Sequence, residues 1–135
     1  MFVLGIDPGL SRCGYGCVEA RPGGPRAVAI GVITTPPTDP LPQRLGELQA
    51  ELRALLAELR PDTVAVERVF FQVNVRTAMS VGQASGLAMA EAVAAGCEVV
   101  QYTPNQVKEA VAGHGAADKE QVQTMVQTLL GLAAP

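Results

Sequence analysis

A chain of 135 residues, 48% hydrophobic and 17% charged, has enough apolar material for one soluble globular domain that folds around its own core without staples. Its three cysteines, Cys13, Cys17 and Cys97, show no C-x-x-C spacing and have one histidine, His114, to join them; this disfavours a structural zinc site and fits a reducing, cytoplasmic setting. The net charge of −3 argues against a general polyanion binder, although local positive charge can override the total.

The chain enters a strand at once, Phe2 to Asp7, without a basic leader. No apolar run is long enough to cross a bilayer free of charges, so membrane insertion and export are both disfavoured. This first strand ends in a carboxylate on a glycine hinge, Gly5-Ile6-Asp7-Pro8-Gly9. A carboxylate at the tip of a buried strand is costly unless something cationic meets it. The nearest basic residue in sequence is Arg12, which makes a bound metal ion a serious candidate.

Two further strands are expected over Gly14 to Ala20 and Ala27 to Thr35, separated by the Gly/Pro-rich turn 21–26. Such short connections favour an antiparallel meander. After the Pro-rich link from Pro36 to Pro42, leucines at 41, 45, 48, 52, 55, 56 and 59 fit one face of a helix from Pro42 to Arg60. Pro61 should stop it at Arg60. The next strand, Thr63 to Val69, again carries an acid after an apolar run: Thr63-Val64-Ala65-Val66-Glu67. A crossover helix makes this strand parallel to the first, so Asp7 and Glu67 should meet at one carboxyl edge of the sheet, where open α/β sheets bind ligands.

A helix rich in small residues follows, roughly Asn74 to Ala95, then a strand from Glu98 to Tyr102. Two last helices are expected, one entered through Thr103-Pro104 with Gln106 and running to about Ala112, the other over about Asp118 to Leu130. The order β-β-β-α-β-α-β-α-α specifies an α/β fold with a mixed five-stranded sheet flanked by helices.

The strings Gly5-Ile6-Asp7-Pro8-Gly9, Gly14-Tyr15-Gly16, Val66-Glu67-Arg68-Val69-Phe70, Gly82-Gln83-Ala84, Gln106-Val107-Lys108 and Ala117-Asp118-Lys119-Glu120-Gln121-Val122, in this order along nearly the whole chain, resemble the RuvC family of Holliday-junction resolvases. The resemblance implies one ribonuclease H-like nuclease domain over residues 1–135, acting as a homodimer on four-way DNA junctions and cooperating with a branch-migration helicase complex. It also implies phosphodiester cleavage with two Mg²⁺ or Mn²⁺ ions per site; hard carboxylates suit either ion. Of the family's four metal-binding positions the sequence carries Asp7 and Glu67. The other two belong to a further C-terminal helix, which is expected to be missing from a chain ending at Pro135.

Lys108 and Lys119 stand near helix starts, where a cation opposes the helix dipole; as phosphate anchors or stabilisers of transition-state charge they fit the family. The pair Phe70 and Phe71 suits either the core or a wedge between bases at the junction centre, with Arg76 on the DNA backbone. His114, between two glycines, suits a contact to phosphate or to a ligand as well as a plain surface position. The small-residue helix serves either close packing on the sheet or, through Met79, Leu87 and Met89, a dimer face. Two other identities fit the same residues: a ribosomal-RNA-processing nuclease of the same fold, against which the Phe pair and Gln106-Val107-Lys108 argue, and a catalytically incomplete junction-binding module. An actin-like ATPase, which shares the G-I-D-x-G string, would need a second domain for which there is no room.

Overall fold

In a computed structural model of the chain, residues 1–68 and 75–102 are described, the side chains of residues 75–77 excepted. Strands β1 (Phe2–Asp7), β2 (Arg12–Glu19) and β3 (Arg26–Thr34) form an antiparallel meander. Helix α1 (Leu41–Leu59) then crosses to β4 (Thr63–Glu67), and helix α2 (Val75–Ala94) to β5 (Glu98–Tyr102). The five strands form one mixed sheet in the order β3-β2-β1-β4-β5, with β4 parallel to both β1 and β5. Among the described residues no helix is long and apolar enough to cross a membrane. The two helices expected after Tyr102 lie outside the described residues.

Strand alternation sorts the sheet into two faces. Leu4, Ile6, Cys13, Cys17, Ile33, Val64 and Val66 form one core with Leu48, Leu52, Leu55 and Leu56 of α1 and Ala84, Ala88 and Ala92 of α2. The four leucines are the inner row of the periodicity read from sequence, and each buried leucine contributes about 1.5–3 kcal/mol of transfer free energy. Small residues on α2 let that helix come close to the strands: Ala84, Ala88 and Ala92 are fully buried. On the same face Gly31 lies opposite Tyr15; a side chain at 31 would collide with the Tyr15 ring, so the glycine leaves room for the aromatic.

The two helices are also clamped electrostatically. Arg53 Nε and Nη2 donate to the Glu91 carboxylate at 2.8 and 3.0 Å, and Gln49 Nε2 donates to it at 2.9 Å. At the amino ends of the parallel strands, Asp62 binds β1 twice: its Oδ2 accepts from Phe2 N at 2.8 Å and its own N donates to Phe2 O at 2.9 Å. Its carbonyl accepts from Glu98 N at 3.0 Å. One aspartate thereby fixes the relative height of β1, β4 and β5.

Element boundaries differ from the sequence reading by one or two residues. Helix α1 begins at Leu41, with Pro42 inside its first turn, and it ends at Leu59 because Arg60 swings into the left-handed region (φ 46, ψ 57) while its N still donates to Leu56 O. The stop before Pro61 is thus a left-handed cap and not the extended geometry usual before proline.

Candidate metal centre and active site

Parallel pairing sets Gly5 beside Ala65 and Ile6 beside Val66; one residue further, the same register brings Asp7 level with Glu67. On the other side of β4, Glu67 is the register partner of Tyr102. Asp7, Glu67 and Tyr102 therefore form a row across β1, β4 and β5 at their carboxyl ends, on the face opposite the helical core. The β4–β5 ladder runs one step past Glu67, since Arg68 N donates to Tyr102 O at 2.7 Å, so the backbone beneath the row is held.

Two carboxyl groups meeting in a half-buried place cannot both ionise freely. The Glu67 carboxyl is pushed up to about 7, first by burial, then by the hydrogen bond it shares with the Asp7 carboxyl, then by the Asp7 charge. Ion pairs among the described residues join Arg26 to Glu19 and Arg53 to Glu91; none holds Asp7 or Glu67. Pairing of Glu67 with its neighbour Arg68, the simplest structural use of that acid, is not formed. The negative charge at this edge thus lacks a cationic side chain among the described residues.

Beneath Asp7 the surroundings are inert. The fully buried Cys13 thiol is pushed up to about 11, chiefly by burial, with a backbone hydrogen bond from Gly9 opposing and the Asp7 charge adding to the rise; it stays protonated and unreactive. Gly9 belongs here for steric reasons, because a side chain on it would overlap the Arg12 carbonyl. The turn after Asp7 is tied from outside by Arg44, whose Nη2 donates to Ser11 Oγ at 2.8 Å and whose Nε donates to Thr35 Oγ1 at 3.0 Å. Buried Thr35 donates its own hydroxyl hydrogen bond to the Leu10 carbonyl at 2.6 Å, and its N donates to Ser11 O at 3.3 Å. Helix α1 and the end of β3 together hold the segment that carries Asp7.

Of the residues predicted from sequence, Asp7 and Glu67 are brought together. Arg76 falls in the first turn of α2, but its side chain lies outside the described residues, as do Phe70, Phe71, Lys108, His114 and Lys119. Among the described residues no third His, Cys, Asp or Glu joins Asp7 and Glu67. On α2, Leu87 and Met89 are half-buried and pack against the core, whereas Met79 is 60% exposed. Tyr102 and the Arg44–Thr35–Ser11 latch escaped the sequence reading. Tyr102 closes an apolar strand as the two acids do, but a neutral phenol there carries no signal in the sequence, since burying it conflicts with nothing until its hydroxyl lacks a partner.

The Tyr102 side chain is 6% exposed, and its hydroxyl oxygen has no hydrogen-bond partner among the described residues. Leaving such a group unsatisfied costs about 1–3 kcal/mol. Unpaired carboxylates beside an unused buried donor match the donor chemistry of a hard-cation site, with hydrogen-bonding support for its ligands.

The family model for crossover junction endodeoxyribonuclease RuvC matches residues 3–135. This chain belongs to that family. Its relative from Salinispora arenicola (strain CNS-205), a crossover junction endodeoxyribonuclease RuvC, is 56% identical over 136 residues, covering 100% of this chain and 78% of the relative. The fold is similar to that of Thermus thermophilus RuvC, with a TM-score of 0.77 and 41% identity over 98% of this chain and 82% of that one. It is also similar to T. thermophilus RuvC in complex with Holliday junction substrate, with a TM-score of 0.79 and 42% identity over 100% of this chain and 83% of that one. Family membership makes the chain a hydrolytic nuclease of recombination and repair on the ribonuclease H-like scaffold, and removes the ribosomal-RNA-processing alternative.

Proposed function

We propose that this chain resolves four-way DNA junctions by paired symmetric nicks, with Asp7 and Glu67 as ligands of two divalent ions, Mg²⁺ or Mn²⁺. The observation that carries the metal assignment is the meeting of these two carboxylates at one sheet edge with no cationic side chain on either among the described residues. When bound, the ions supply an activated water and charge compensation at the leaving oxygen. The chain's own part is positioning. β1 and β4 present the carboxylates from hydrogen-bonded strand ends, and the Arg44 latch holds the turn behind Asp7.

Substrate contacts follow from family resemblance: Phe70 or Phe71 as the wedge at the junction centre, Arg76, Lys108 and Lys119 on the phosphates, and Lys108 and Lys119 also near the reacting group. The partners in this reading are the junction, a second copy of the chain and a branch-migration helicase complex, in the cytoplasm. The dimer is supported by an outward stripe on α2. Met79 and Val93 are 60% and 66% exposed, and between them Gly82 and Gly86 open onto free space with Ala90 also exposed. This uncharged strip repeats at helical spacing and suits a self-complementary contact around a twofold axis, which would place two sites for two symmetric nicks.

The deciding experiment is nicking of a mobile four-way junction against a linear duplex with Mg²⁺ or Mn²⁺, with and without the further C-terminal helix that the family resemblance implies. Selective, metal-dependent nicking is expected, abolished by Asp7→Asn. Glu67→Gln should abolish nicking while preserving junction binding. Junction binding without any nicking in both forms of the chain would identify a binding module instead. Full activity of Asp7→Asn would refute the metal assignment.

A further inference from the structure

The row at the carboxyl edge holds three polar side chains, and the metal reading uses two of them. The third, Tyr102, lies beside Glu67 in the β4–β5 register, is 6% exposed, and keeps a buried hydroxyl without a partner among the described residues. A phenylalanine would fill the same volume without that unsatisfied atom, so packing alone does not account for a tyrosine. A phenol hydroxyl is a hydrogen-bond donor, and this one stands on the strand next to the one that carries Glu67. In the metal-free arrangement the Glu67 carboxyl is engaged by Asp7.

We propose that Tyr102 is a positioning residue of the nuclease centre: its hydroxyl donates a hydrogen bond to the Glu67 carboxylate once that carboxylate turns from Asp7 to a shared cation. The inference rests on the metal reading of Asp7 and Glu67. In this role the phenol fixes the carboxylate rotamer from behind and leaves the other oxygen for the ion. Such supporting donors characteristically change metal affinity by 10–100-fold when removed.

The test uses Mn²⁺ binding, measured by calorimetry or by loss of the free-ion paramagnetic resonance signal, on the wild-type chain, Asp7→Asn and Tyr102→Phe. Mn²⁺ affinity is expected to fall about 10-fold in Tyr102→Phe, while the metal-free melting temperature stays the same or rises. The chain has two tyrosines and no tryptophan, so in a Tyr15→Phe background the near-ultraviolet tyrosine absorption reports Tyr102 alone. Adding Mn²⁺ should shift that absorption as the phenol gains an acceptor, and the shift should vanish on adding Glu67→Gln. Both the affinity loss and the shift are required. Wild-type affinity in Tyr102→Phe, or an affinity loss without an absorption shift, overturns the proposal while leaving the metal reading intact. If wild-type binding of Mn²⁺ is unchanged in Asp7→Asn, the metal reading fails and the Tyr102 inference falls with it.

Discussion

Glu67 is the residue whose state decides the behaviour of the metal-free centre. Burial and the adjoining Asp7 carboxyl push its carboxyl up from the ordinary 4.5 to about 7. A raised acid means that the folded chain holds a proton which the unfolded chain has already released between these two values. Stability from this group is therefore complete below about 4.5, declines as pH rises through the window, and is lost above about 7. The melting temperature of metal-free protein should accordingly carry a downward component between those pH values. That component should be absent in Glu67→Gln, and Mg²⁺ or Mn²⁺ should reverse it in the wild type. Thermal melts at stepped pH, with chelator and with metal, check this; identical pH profiles for wild type and Glu67→Gln would remove the carboxylate pair as its cause. At this scale the acids were legible because a charge at the end of an apolar strand conflicts with burial wherever it occurs. Tyr102 was not, because a tyrosine at a strand end raises no such conflict until its hydroxyl is found buried and unused.

Among the elements, the turn after β1 depends on parts of the chain far from it in sequence. Arg44 reaches Ser11 and Thr35 from the first turns of α1, and Thr35 reaches Leu10 from the end of β3. A hydrogen bond involving a charged group is worth about 1.5–3 kcal/mol, and of the two made by Arg44 the one to Thr35 is partly buried while the one to Ser11 is exposed and adds little. Arg44→Ala should thus lower unfolding free energy by about 2 kcal/mol in urea titration. It should reduce junction nicking more than junction binding, because it frees the segment behind Asp7. Equal losses in both assays would show a general effect on folding. Strand identities, the parallel crossover and the inner face of α1 were readable from alternation and helical periodicity, since both follow from local side-chain direction. The latch was not readable, since it joins residues 10, 11, 35 and 44 through geometry that no local pattern records. The left-handed cap at Arg60 was hidden for a similar reason: the exit angle of α1 is set by where β4 must begin.

For the molecule as a whole, α2 divides its small residues between two duties. Ala84, Ala88 and Ala92 lie against the sheet, while Met79, Gly82, Gly86, Ala90 and Val93 look outward. The sequence displayed the small residues without saying which faced which way, because alanine and glycine suit either side; burial separates them, with Leu87 and Met89 half-buried between the two sets. If the outward stripe seals the dimer, Gly86→Arg should shift sedimentation from dimer to monomer at micromolar concentration and leave the monomer's melting temperature within a few degrees of wild type. A wild-type chain that sediments as a monomer, or a Gly86→Arg chain that remains dimeric, would take the stripe out of the interface.

The order β3-β2-β1-β4-β5 has one last consequence. The strand that carries Asp7 is the central one, laced on one side to β2 and on the other to β4. Partial openings of a sheet begin at its margins, so β3 and β5 can fray while the middle stays closed. Asp7 therefore sits where the backbone opens only when the entire domain does, a fixed charge between margins that are free to breathe.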